Sequence, residues 1–119
     1  MKTLVAALFI ALAGSPVWAE PPVVTDVRAS GSDGVWRFDV TLTHPDTGWD
    51  HYADGWQILA PDGSVLGTRE LAHPHVIEQP FTRSLGGVEI PAEMTTVLVR
   101  ARCNIDGWSD PISFALPEG

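Results

Sequence analysis

Trp36-Arg37-Phe38-Asp39-Val40-Thr41-Leu42-Thr43 is the stretch that decides the fold. Trp36, Phe38, Val40 and Leu42 point one way, and Arg37, Asp39, Thr41 and Thr43 point the other. This is the period of a strand with one face in a core and one in water. Outward from it, the same alternation recurs. Val23 to Ala29 reads as an earlier strand, set off by the turn-forming run Ser30-Gly31-Ser32-Asp33-Gly34. Trp56 to Ala60 and Val65 to Leu71 flank Pro61-Asp62-Gly63-Ser64, where proline pre-sets the turn and glycine tolerates positive φ, so the two segments form a hairpin. Phe81, Arg83 and Leu85 share a face, Gly86-Gly87 permits a bend, and Val88 and Ile90 resume the pattern. Thr96 to Cys103 places Val97, Val99 and Ala101 inward, and Ile112, Phe114 and Leu116 alternate in a last strand.

Seven or so short strands at regular spacing, with no sustained helical period, predict an all-β antiparallel sandwich with Greek-key connections. Trp36 and Trp56 are expected to face each other across its two sheets, with Trp56 as the central core tryptophan.

Residues 1–19 carry a separate signal. Lys2 makes a positive start, Leu4 to Ala13 is an apolar run, and Ser15-Pro16-Val17-Trp18-Ala19 ends in small residues. That order is a secretory signal peptide cleaved after Ala19, and its apolar run is too short for a stable membrane span. Residues 20–119 are then a single domain, expected to be periplasmic or secreted and not inserted in a membrane after cleavage. No cysteine follows the apolar run, so a lipid anchor there is not expected.

The formal net charge is −8, and the strong bases beyond Lys2 are all arginines. Nucleic acid is excluded as a partner, because phosphate binding needs clustered positive charge. One cysteine, Cys103, rules out an internal disulfide, and packing alone must hold the fold.

The chain resembles fibronectin type III and other immunoglobulin-like domains in Trp36 of the second strand, the hairpin at Ala60-Pro61-Asp62-Gly63, and Val97-Leu98-Val99-Arg100-Ala101-Arg102-Cys103-Asn104-Ile105-Asp106-Gly107-Trp108-Ser109. It departs from that family in lacking a tyrosine in the sixth strand. Trp49-Asp50-His51-Tyr52-Ala53-Asp54 and His73-Pro74-His75 with Glu78-Gln79-Pro80-Phe81 are also similar to stretches in a group of small secreted bacterial proteins of unassigned activity. That likeness supplies no mechanism.

In such a sandwich the second-to-third, fourth-to-fifth and sixth-to-seventh connections lie at one end. They carry all four histidines: His44 and His51 with Asp46, Asp50 and Asp54; His73 and His75 with Glu78; and Cys103, Asn104 and Asp106. His73 and His75, two apart in an extended segment stiffened by Pro74, project to one side. Imidazole suits copper and zinc, and His51, Glu78, Asp50 or Asp54 would complete a ligand shell, with His44 a further candidate. The expected ion is copper ahead of zinc. The competing reading has the histidines bonding carboxylates and backbone, with His44 capping the core and pairing with Asp46 or Asp50. Cys103 shares the inward parity of its strand and reads as a buried thiol, or as a thiolate ligand. Calcium is not expected, since no loop has glycine and a terminal glutamate at the required places.

A second class of function uses the same pole. Trp49, Tyr52 and Trp108 would form a surface that recognises an extracytoplasmic protein or glycan. Enzyme activity is not expected: the sequence has no Gly-x-Ser-x-Gly elbow, no His-Glu-x-x-His and no phosphate-cradling glycine loop.

Overall fold

The computed structural model describes residues 20–118; the signal-peptide reading of residues 1–19 lies outside them. Eight antiparallel strands follow in order: β1 (Val23–Ser32), β2 (Val35–Thr43), β3 (Ala53–Leu59), β4 (Val65–Glu70), β5 (Phe81–Glu89), β6 (Thr96–Cys103), β7 (Gly107–Trp108) and β8 (Ile112–Ala115). They form two sheets, β1-β2-β5 and β4-β3-β6-β7, with β8 also paired to β6. β7 and β8 are two pieces of one edge, since Arg102 and Cys103 pair with Trp108 and Gly107 while Thr96 to Val99 pair with Ala115 to Ile112. The expected last strand is thus longer and interrupted at Ser109-Asp110-Pro111.

Alternation explains the layering. Phe38, Val40 and Leu42 of β2 are buried against Trp56 and Ile58 of β3 and Val97, Val99 and Ala101 of β6. On the outer face, Asp39 accepts from the Ser84 hydroxyl, and Thr41 and Thr82 share a hydrogen bond of 2.7 Å. Fully burying a large apolar side chain stabilises by about 1.5–3 kcal/mol, so this one layer supplies most of the driving force.

Turn chemistry decides where the strands stop. β1 and β2 extend further than the polar run between them suggests, and only Asp33-Gly34 turns, with both residues at positive φ (58° and 81°). That backbone matches the right-handed twist of a two-residue hairpin, and aspartate and glycine tolerate it. The Asp62 carboxylate holds the β3–β4 hairpin by accepting from the Ser64 N–H (2.9 Å) and hydroxyl (2.7 Å). Gly86-Gly87 does not end β5. It forms a bulge, with Trp36 and Phe38 of β2 opposite Val88 and Leu85.

Trp36 differs from its expected place. It is only half-buried and lies at the beginning of β2, its ring so close over Gly31 that a Cβ there would collide with it. It shares a shallow cleft with Ile90, Pro91 and Met94, whereas Trp56 is fully buried. The two tryptophans therefore do not form a central pair: a position two residues from a hairpin turn lies at the rim of the core.

Candidate functional site

The β2–β3 connection leaves one sheet at Thr43 and enters the other at Ala53, and the β4–β5 connection makes the reverse crossing from Glu70 to Phe81. The first of them meets the β6–β7 turn. Asp46 joins the first two. Its buried carboxylate accepts from the His44 ring (Nδ1, 2.6 Å), the Ala53 N–H (3.0 Å) and the His75 N–H (2.8 Å). Gln79 adds a second tie, accepting from the His44 N–H at 3.0 Å and donating to the His75 carbonyl at 2.8 Å. Asn104 joins the third loop: its side-chain oxygen accepts from the Tyr52 N–H at 2.9 Å, and its amide donates to the carbonyls of Trp49 and Asp50 at 3.3 and 3.2 Å.

Inside this frame His44, His51, Cys103 and Asp106 converge, each offering one donor atom, all within 4.8 Å of one another. His44 is 1% exposed and its Nε2 is buried without a partner among the described residues, while its Nδ1 is held by Asp46. The His44 and His51 rings meet edge to face at 4.9 Å. His51 Nε2 lies 2.7 Å from Asp106 Oδ2, and Cys103 Sγ lies 3.6 Å from the same oxygen. The Ile105 N–H donates to Cys103 Sγ at 3.4 Å, closing a tight turn around the sulfur. The His51 hydrogen bond chiefly holds the Asp106 carboxyl below the usual aspartate range. Burial chiefly pushes the Cys103 thiol upward, so it is a neutral thiol until something displaces its proton.

Of the residues singled out from sequence, the structure brings His44, His51 and Cys103 into this group and places the other candidate ligands around it. Asp46, not Asp50, pairs with His44. Asp54 pairs with Arg102 at 2.7 Å on the outer side of the sheet. His73 and His75 do lie side by side, with ring centroids 4.6 Å apart, but His75 stacks flat on Phe81 at 3.9 Å. Glu78 pairs with Arg83 at 3.1 Å. Cys103 and Asp106 were absent from the leading ligand set. Their signal was the inward parity of Cys103 at the strand end and an aspartate three positions on, across a turn at the histidine pole.

His75 has a consequence for stability. Burial, then the charges of Arg83 and His73, lower its pKa below 6.5, opposed by Glu78 and Asp46, and neither ring nitrogen has a partner among the described residues. The unfolded chain protonates this ring at its ordinary value, and the folded chain resists. The stability it contributes is therefore complete above pH 6.5 and lost as pH falls below that toward the depressed folded value. Thermal melts from pH 7.5 to 5 should show a falling midpoint, and His75→Phe, which keeps the stack on Phe81, should flatten the fall. An unchanged slope would remove His75 as its source.

The aromatic residues occupy the flank. Trp49, 66% exposed, packs edge to face on Tyr52 at 5.6 Å. Tyr52 and Trp108 border a cleft of about 440 Å³ with Asp54, Gln57, Arg69 and Arg102. Arg100 covers the Trp108 ring at 4.2 Å while donating to the Gln57 side-chain oxygen at 2.8 Å. Among the described residues no helix is long and apolar enough to cross a membrane.

No protein-family model matches the chain, and no solved structure matches it significantly. The chain is similar to a protein of Halomicrobium mukohataei named "Putative lipoprotein", with 43% identity over 86 residues that make up 71% of this chain and 42% of that protein. The chain thus spans less than half the length of the relative it matches.

Proposed function

We propose that this protein is an exported, non-catalytic β-sandwich module of the fibronectin type III kind that holds one transition-metal ion, copper ahead of zinc, between His44, His51, Cys103 and Asp106. The buried Nε2 of His44, which has no partner among the described residues, carries the reading. A buried polar atom without a partner is costly. A metal-binding histidine commonly donates its other N–H to a carboxylate, which fixes the tautomer and aims the lone pair, and the Asp46–His44 pair has that arrangement.

The donor set fits the chemistry. Two imidazoles, a thiolate and a carboxylate suit copper and zinc, and the order of divalent affinities favours copper. Ligands on a tetrahedral ion lie roughly 3.3–3.8 Å apart, so a group within 4.8 Å closes on an ion by small side-chain rotations. Binding would exchange the His51–Asp106 hydrogen bond for two metal bonds and release the thiol proton. Export is supported by the leader-like residues 1–19 and by the name of the Halomicrobium relative.

Titration of the leader-free, untagged protein with Cu(II) and Zn(II), followed by calorimetry and by the absorption of a copper–thiolate bond, tests this. His44→Ala and Cys103→Ser are each expected to weaken binding at least tenfold, and His73→Ala to leave it unchanged. Loss of binding in His73→Ala with retention in Cys103→Ser would move the ion to the His73–His75–Glu78 side. Absence of binding by either ion would remove the proposal.

One observation favours a second reading, recognition of a protein or glycan. Exposed Trp49 and the cleft beside Tyr52 and Trp108 combine ring surface with arginine, glutamine and carboxylate groups. Binding that survives His44→Ala but not Trp108→Ala would support it.

A further inference from the structure

The outer face of the β4-β3-β6-β7 sheet is notched where one side chain is missing. Gly55 of β3 stands in the outward row between Glu70 of β4 and Arg102 of β6, and Trp108 of β7 is opposite Arg102. The notch belongs to the cleft of about 440 Å³ that Tyr52, Asp54 and Trp108 border. In the next row Gln57 donates to the Thr68 hydroxyl at 3.2 Å and accepts from Arg100 Nε and Nη2 at 3.1 and 2.8 Å, while Arg100 lies over the Trp108 ring. The groups around the notch are therefore held in place before any ligand arrives.

Positive charge is unevenly neutralised. Arg28, Arg37 and Arg83, on the β1-β2-β5 sheet, each meet a carboxylate. Arg69, Arg100 and Arg102 belong to the sheet with the cleft. Arg69 donates to the carbonyls of Ser84 and Glu70 and Arg100 to Gln57, and neither has a carboxylate partner among the described residues. Arg102 gives Nη1 to Asp54 at 2.7 Å, and its side chain stays 44% exposed with further donors to spend. In a chain of net charge −8, the guanidinium groups that lack a counter-charge thus gather beside one cleft. A guanidinium fork matches a carboxylate in two parallel hydrogen bonds. Asp54, Glu70 and Thr68 can accept from hydroxyl groups, and Asp54 Oδ1 has no partner among the described residues. An extended peptide fits less well, because its own N–H and C=O groups need a free strand edge, and β3 under the cleft is already paired to β4 and β6.

We propose that this cleft binds an acidic saccharide, its carboxylate on Arg102 beside Arg100, its hydroxyls on Asp54, Glu70 and Thr68, and one sugar face against Trp108. This rests on the recognition reading of the cleft and narrows it to glycans that carry uronic acids. No metal ion takes part.

The probes are trimers of galacturonate, glucuronate and mannuronate, the methyl ester of each, and triglutamate as an acidic peptide, titrated by calorimetry into the leader-free protein with a chelator present. At least one uronate trimer is expected to bind. Its methyl ester, which keeps every hydroxyl and loses the charge, is expected to bind at least tenfold more weakly, and the ester comparison needs no variant. Arg102→Gln and Trp108→Ala, both checked for folding by melting curves, should each weaken uronate binding at least tenfold, and His44→Ala should leave it unchanged. Equal affinity for acid and ester, with loss in Trp108→Ala, overturns the role of charge and leaves the recognition reading standing. Uronate binding that neither Arg102→Gln nor Trp108→Ala alters places the ligand elsewhere and overturns the inference. Binding of triglutamate in place of every uronate overturns it in favour of a protein partner. Silence from every probe also overturns it, and leaves a folded protein as the partner that the recognition reading must find.

Discussion

Trp56→Ala is expected to lower stability by about 3–5 kcal/mol. A domain of this size has only about 5–15 kcal/mol in total. Trp56 is fully buried in the middle of β3, opposite Ala101 on one neighbouring strand and Arg69 on the other. The small side chain of Ala101 cannot expand into the vacated space. Strand backbones on both sides of β3 resist collapse, so most of the cavity would persist. Trp36→Ala should cost distinctly less, because its ring is half-buried at the rim and solvent can fill its place. Trp56→Phe guards against simple failure to fold. It keeps a ring in the core and removes an indole N–H that has no partner among the described residues, which offsets part of the lost packing. Urea denaturation of the three variants is the measurement. Equal losses for Trp36→Ala and Trp56→Ala would refute the placement of the two side chains.

That contrast marks how far the sequence could be read. Alternation along Trp36 to Leu42 identifies the inward face of β2, because each side chain's direction follows from a period of two. How deeply each inward residue is buried depends on its distance from the strand end, which alternation does not encode. Asp62-Gly63 announces a turn through local chemistry, and the hairpin forms there. Gly86-Gly87 announces flexibility alone, and the pairing partner turns that flexibility into a bulge. The candidate site behaves alike. Gathering the histidines at one pole follows from topology. Assigning them to a single group does not, because His75 is drawn to Phe81, with His73 beside it, and His44 to Asp46 by contacts across the chain. Cys103 and Asp106 join through a three-residue turn around the sulfur, and a strand-parity argument stops where that turn begins.

Asp46 ties these threads together, and Asp46→Ala should cost about 3–5 kcal/mol, because each buried donor left unsatisfied costs about 1–3 kcal/mol. Its side chain is fully buried and accepts three hydrogen bonds, from the His44 ring and from the N–H groups of Ala53 and His75. Deleting the carboxylate leaves three buried donors unsatisfied, the His44 ring and the N–H groups of Ala53 and His75. Metal binding should suffer separately. With Nδ1 no longer held, the His44 ring can rotate and exchange tautomers, and affinity should fall about 10- to 100-fold, the usual effect of losing an outer carboxylate. Asp46→Asn separates the two consequences. It conserves volume and one acceptor oxygen but turns an N–H pair toward neighbouring donors, so the fold should survive with weakened metal affinity. Melting curves and copper titrations of both variants provide the check. If Asp46→Asn binds copper as tightly as the parent, Asp46 serves the loops alone and His44 needs no carboxylate to hold an ion.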